Sequence, residues 1–158
     1  MNSKTTHCGV GLLAADMQVM ATFYRDVLGL EIDWDGGNFA EFYTASGRLA
    51  LFMYDQKMFD EAMKLEFRPP RGINQTFEIG LWLPTFADVD AEYEKLKAKG
   101  VAVPANGPIT LPFGIRNFYI ADPEGNLLEI GSDTPNRAGD LANSALIFYR
   151  RIARDKTI

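Results

Sequence analysis

The sequence predicts an α+β fold in which one order of elements, strand–helix–three strands, is used twice. Three observations predict it. Apolar residues alternate along the chain between a spacing of two and the spacing of a helix. Clusters of Gly, Asp, Asn, Ser and Pro punctuate the short apolar runs. The two halves also share markers, Ala15-Asp16 with Gly29 in the first and Ala87-Asp88 with Gly100 in the second, an internal repetition that points to a duplicated unit.

In the first half, Gly9–Ala15 is a short apolar run ended by Asp16 and reads as a strand. From Asp16 the period changes. Met17, Met20, Ala21, Tyr24, Val27 and Leu28 share one helical face, with Asp16 as N-cap and Gly29 as C-cap. Leu30–Trp34, Phe39–Thr44 and Leu49–Tyr54 follow as strands. They are separated by Asp35-Gly36-Gly37-Asn38 and by Ala45-Ser46-Gly47, both hairpin signals. Residues 55–75 break the pattern, holding a short helix over Gln56–Leu65 and then the loop Arg68-Pro69-Pro70-Arg71-Gly72. A connection this long is either functional or a linker.

The second half begins with the strand Phe77–Leu83. Asp88 opens a helix with Val89, Tyr93 and Leu96 on one face, closed by Gly100. Val101–Val103, Ile115–Ile120 and Leu127–Ile130 complete the strands, the last two joined by Asp122-Pro123-Glu124-Gly125-Asn126. After Asp133, residues 134–140 are turn-like. Leu141–Ala153 then reads as a helix with Ala142, Ala145, Leu146, Tyr149 and Ile152 on one face, packing on the domain or on a second subunit. The expected organisation is a domain over 5–132, with modules near 7–54 and 76–132 joined by the loop 55–75, and a helical extension over 133–158.

Composition excludes several classes of function. At 158 residues with 47% hydrophobic and 23% charged, the chain suits one soluble domain with a real core. Its apolar runs are too short to span a bilayer, and Met1–Thr6 lacks the core of a secretory signal. A net charge of −5 with no basic stripe argues against nucleic-acid binding and is compatible with a cationic ligand. The single cysteine, Cys8, forbids an internal disulfide and reads as a small buried hydrophobe in a cytoplasmic protein. The single histidine, His7, excludes Cys₂His₂ and three-histidine metal sites. A serine triad would need His7, and no G-x-S-x-G elbow accompanies it.

Two stretches carry a family resemblance. Ala21-Thr22-Phe23-Tyr24-Arg25-Asp26-Val27-Leu28-Gly29-Leu30 is similar to the first-helix signature of the vicinal oxygen chelate superfamily, which comprises glyoxalases, bleomycin resistance proteins and dioxygenases. Asp122-Pro123-Glu124-Gly125-Asn126-Leu127-Leu128-Glu129-Ile130 resembles its last hairpin and strand. Alone, either motif is weak; both in order over residues 5 to 132 are specific. The resemblance implies the glyoxalase/bleomycin-resistance fold, paired βαβββ modules enclosing a cavity, here followed by a C-terminal helix. It also implies a divalent metal in the metal-dependent members, held by two ligands from each module.

Most of those ligand positions carry no donor in this chain. Counting back from Asp16 and Phe23 puts the first on Gly9, and Leu49-Ala50-Leu51 puts the second on Ala50. Glu129 matches the final position. The remaining one is Glu78 if Pro84-Thr85-Phe86-Ala87 is an insertion before the helix, and Leu81 if the count is gapless. No tight metal site is therefore expected, and a weak divalent ion would rest on Glu129 and Glu78 with the remaining ligands from water or substrate. His7 shares parity with Gly9 but reads as a solvated side chain near a terminus. Without a metal, Glu129 and Glu78 become candidate acid–base residues, since paired burial raises a carboxyl pKa. The bland alternative is that they bond to Arg116 or to backbone donors.

Trp82, Trp34, Phe113 and Phe52 are candidate ligand-binding residues, and Arg116 is the candidate cation for a ligand carboxylate or phosphate. Against these stand core aromatics and a surface ion pair. Met58, Phe59, Met63 and Phe67 either cap a cavity or pack under the long connection. The reading that follows is a cytoplasmic, homodimeric binding protein for a small molecule, without nucleic-acid or membrane partners. The alternatives are a lyase, isomerase or dioxygenase with a reduced metal site, or a metal-free acid–base enzyme using Glu129.

Overall fold

A computed structural model describes residues 9–64, 68, 71–101, 107–112 and 114–135. The chain divides into two compact units. The first gathers residues 1–74 with 122–126, and the second residues 75–121 with 127–158. Both are α+β, each with a four-stranded sheet, as predicted.

In the first unit β1 (Val10–Ala14) lies parallel to β4 (Gly47–Asp55), which pairs antiparallel with β3 (Phe39–Thr44), itself antiparallel to β2 (Glu31–Asp33). Strand alternation buries Leu12, Ala14, Ala40, Phe42, Leu51 and Met53 with Met17, Met20, Ala21 and Tyr24 of the first helix. That helix, α1, runs over Met17–Thr22. Asp16 caps it by accepting from the Val19 N–H at 2.9 Å, as its sequence position predicts. It then widens into a π-helical turn over Phe23–Val27, closed by Leu28 N–H to the Phe23 carbonyl at 3.1 Å, before Gly29 at φ +79° ends it. A second helix, α2 (Gln56–Met63), is capped by Asp55.

The turn Asp122–Asn126 completes this unit. Oδ1 of Asp122 accepts from the backbone N–H groups of Glu124 (3.0 Å) and Asn126 (2.8 Å). Its Oδ2 accepts from the Tyr24 hydroxyl (2.9 Å) and Asn126 Nδ2 (2.8 Å). The Glu124 carboxylate accepts from the N–H groups of Ala15 (3.1 Å) and Asp16 (2.9 Å), just ahead of α1. The acidic residues of this motif are thus structural acceptors.

The second unit repeats the scheme in the order β5 (Asn74–Trp82), β8 (Asn126–Ser132), β7 (Arg116–Ala121), β6 (Ile109–Thr110). Helix α3 (Phe86–Ala98) buries Val89 and Leu96, and Tyr93 meets Phe118 edge-on at 5.3 Å. Phe118, Ile120, Leu128 and Ile130 form the buried strand positions.

Two sequence expectations change here. The N-cap of α3 is Thr85, whose hydroxyl accepts from the Asp88 N–H, so the helix starts two residues before the expected Asp88. Asp16 therefore corresponds to Thr85, and Pro84–Ala87 is no insertion before the helix; the additional length lies within α3 itself. The short strand after α3 is Ile109–Thr110, whereas Val101 is not in a strand and the rest of the expected Val101–Val103 lies outside the described residues. The expected helix over 141–153 also lies outside them.

Candidate functional site

Each sheet covers one face with a helix and leaves the other open. On the open face of the second unit, alternation collects Glu78, Gly80 and Trp82 from β5, Glu129 and Gly131 from β8, and Asn117 and Tyr119 from β7. Tyr119 stands opposite Glu129 and Asn117 opposite Gly131. Counting back seven residues from the true cap, Thr85, reaches Glu78, as counting back seven from Asp16 reaches Gly9.

Glu129 is only 9% exposed. Asn117 Nδ2 donates to it in a short hydrogen bond, and Glu78 bears on it electrostatically from β5. Burial pushes the Glu129 carboxyl above the usual carboxylate range. The Asn117 bond opposes that rise, while the charge of Glu78 adds to it. Tyr119 is pushed up to about 12 by burial and then by the negative charges of Glu129 and Glu78. Asn117 is 1% exposed, and its Oδ1 has no partner among the described residues.

The Trp82 indole is 45% exposed and lies over two glycines. A Cβ on Gly80 would stand 3.1 Å from Nε1, and one on Gly131 3.6 Å from Cζ3. The same Gly80 position lies 3.9 Å from Glu129 Oε2, which brings the indole and the carboxyl together. Arg116 is elsewhere. Its position on β7 has the parity of Phe118, and its guanidinium holds Asp90 on α3 (2.6 and 2.8 Å) and Thr110 Oγ1 (3.0 Å). It is engaged on the helix-covered side, away from Glu129.

The open face of the first unit carries aromatic rings. A Cβ added at Gly9 would come within 2.5 Å of Phe52 Cε2, so the Phe52 ring occupies the space a ligating side chain would need. Phe39 stacks on that ring at 6.2 Å, and Arg48 lies 5.4 Å over it while pairing with Glu41 at 3.0 Å. Tyr54 covers Gly11 and meets Phe59 of α2 at 5.3 Å. Trp34 is half-buried, donating from Nε1 to the Gly37 carbonyl at 2.7 Å. Met58 is half-buried and Met63 exposed on α2. His7, Cys8, Phe67 and Phe113 lie outside the described residues.

Asn117 and Tyr119 are the site residues that sequence reasoning missed. Their signal was the strand parity of Arg116–Ala121, where they alternate with the apolar Phe118 and Ile120. The same parity places Arg116 on the covered face.

The family-implied metal can be tested against these donors. Gly9 and Ala50 offer none in the first unit, and Phe52 fills the space beside Gly9. In the second unit the donors are two carboxyls, Glu78 and Glu129, and Glu129 is already held by Asn117 Nδ2. Among the described residues no group of three or more His, Cys, Asp or Glu converges. This donor set does not fit a tightly held four- to six-coordinate ion.

Comparison with known proteins agrees with the architecture. A sequence model of the Glyoxalase/Bleomycin resistance protein/Dioxygenase superfamily matches residues 5–130. Among solved structures, a glyoxalase/bleomycin resistance protein/dioxygenase from Nocardioides superposes with a TM-score of 0.68 at 23% identity, covering 90% of this chain and 93% of its own. A glyoxalase-related enzyme from Fulvimarina pelagi gives 0.65 at 17% identity, with 80% and 87% covered. A lactoylglutathione lyase from Agrobacterium tumefaciens gives 0.61 at 24% identity, with 82% and 96% covered. These likenesses show the fold. No curated protein matches.

Proposed function

The chain belongs to the glyoxalase/bleomycin resistance protein/dioxygenase superfamily, and from that premise we propose that it is a small-molecule-binding protein without a tightly held metal. Its ligand sits on the open face of the second unit, against Trp82 and the Glu78–Glu129 pair. The observation that carries this reading is the buried Glu129 carboxyl, held by Asn117, beside a half-exposed indole on the same face as Glu78. The empty positions Gly9 and Ala50, with Phe52 over the former, support it further.

Metal analysis of purified protein, with thermal-shift titration of Mn²⁺, Ni²⁺ and Zn²⁺, tests the metal-free part. We expect substoichiometric metal and no saturable shift. Stoichiometric metal that disappears in Glu129→Ala would refute it and favour a lyase, isomerase or dioxygenase with a reduced metal site. A broad compound panel read by thermal shift tests the binding part, which fails if no compound stabilises the folded protein.

A second reading, a metal-free acid–base enzyme, is favoured by one observation: the raised Glu129 carboxyl. A carboxyl raised by burial is better suited to exchange a proton with a bound substrate, with Glu78 and Tyr119 orienting that substrate. The single cysteine suits a cytoplasmic protein. A homodimer is expected by size-exclusion chromatography with light scattering. No helix among the described residues is long and apolar enough to cross a membrane.

A further inference from the structure

The open face of the second unit has more hydrogen-bond acceptors than donors. Glu78 and Glu129 bring their carboxyl oxygens to one spot, and Asn117 adds Oδ1, a buried acceptor with no donor among the described residues. Of the side-chain donors here, Asn117 Nδ2 is engaged with Glu129. Nor is a cation at hand among the described residues. Arg116, the basic residue of these strands, is held by Asp90 on the covered side. On α3, Lys95 pairs with Glu92 at 2.9 Å and Lys97 lies over Tyr93. Among the described residues the spot thus carries no basic side chain, and its side-chain N–H groups, Asn117 Nδ2 and Trp82 Nε1, are neutral.

Beside it lies the flat face of Trp82, half-exposed and seated over Gly80 and Gly131. Indole is the strongest cation–π partner among side chains. We propose that this face recognises a planar organic cation, an amidinium, guanidinium or protonated amino-heteroaromatic group. Its N–H donors meet the Glu78 and Glu129 carboxyls and its plane lies against Trp82. The first unit contains the same chemistry in miniature, for Arg48 places a guanidinium over the Phe52 ring while pairing with the Glu41 carboxylate. The inference rests on the reading that the second unit's open face is the ligand site, and it adds the class of ligand.

The test uses three probes that share one ring: benzamidine (cation), benzamide (neutral) and benzoate (anion), titrated calorimetrically against the full chain. Benzamidine should bind at least about tenfold more tightly than benzamide, as a cation–π contact with a charge-assisted hydrogen bond warrants. Glu78→Gln, at an exposed position, should abolish most of that preference while the protein stays folded, as its circular dichroism checks. Trp82→Leu should weaken benzamidine as well. If benzamide or benzoate binds as tightly as benzamidine, or if the preference survives Glu78→Gln, the ligand class is wrong while the small-molecule site stands. If none of the three binds folded protein, the cation inference is overturned, and the broad panel decides separately whether the face binds anything.

Discussion

Tyr24→Phe removes one oxygen from the most buried hydrogen bond of the first unit. The ring stays, so no cavity opens and the lost apolar contact is negligible. What disappears is a 2.9 Å bond from a fully buried hydroxyl to the Asp122 carboxylate, itself 4% exposed. Hydrogen bonds to charged groups contribute about 1.5–3 kcal/mol. Asp122 keeps three N–H partners after the substitution, from Glu124, Asn126 and the Asn126 amide. The acceptor is thus not orphaned, and the expected cost is at the low end, about 1.5 kcal/mol. For a chain of 158 residues that lowers Tm by roughly 3–6 °C. Denaturant melts of Tyr24→Phe, Asp122→Ala and the double variant measure the coupling directly. Burial and Asp122 raise the Tyr24 phenol well above its usual range, so its ultraviolet ionisation should coincide with alkaline unfolding. A Tm unchanged in Tyr24→Phe, or strictly additive single variants, would refute the argument.

Three further outcomes follow from the site. Because the Glu129 carboxyl is raised, its favourable contribution is complete below its unfolded value of 4.5 and is lost as pH rises through the folded value. Melts from about pH 4 to about pH 9 should therefore show Glu129→Gln gaining Tm relative to the parent as pH rises, and a pH-independent difference would count against burial as the cause. Gly9→Val must displace the Phe52 ring, which its Cβ would approach to 2.5 Å; Tm should fall by a few degrees, and Phe52→Ala in the same chain should restore most of it. Arg116→Met breaks the pair with Asp90, half-exposed, at a cost below about 1 kcal/mol; ligand affinity should not change, and a large loss of affinity would return Arg116 to the site.

Much of this was legible from the residues because local chemistry decided it. Phe39–Thr44 forms a strand with the expected ends, and Asp16 caps α1, because alternation and capping act over a few residues. Thr85 was passed over for Asp88 because the second acidic residue mimicked the first half's punctuation, yet the hydroxyl three residues earlier is the capping group. The π-helical turn at Phe23–Val27 has no sequence signal of its own. The strand position of Glu129 was legible from the motif and that of Glu78 from parity. Asn117 and Tyr119 were within reach of the same parity argument. The Phe52 ring against Gly9 was not, since it depends on the parallel register of β1 with β4, set by Val10 opposite Leu51 across forty residues of chain.

The contacts of the Asp122–Asn126 turn also impose an order on biosynthesis. Glu124 accepts from the amides of Ala15 and Asp16 across more than a hundred residues, and Asp122 accepts from the Tyr24 hydroxyl across 98. A nascent chain that has emerged only as far as Asn74 has made all four strands of the first sheet but leaves the Tyr24 hydroxyl and two backbone N–H groups unpaired. Ribosome-tethered chains should thus stay protease-sensitive around α1 until residue 126 clears the exit tunnel, and folding should be slow for the chain's size, as sequence-distant closure dictates.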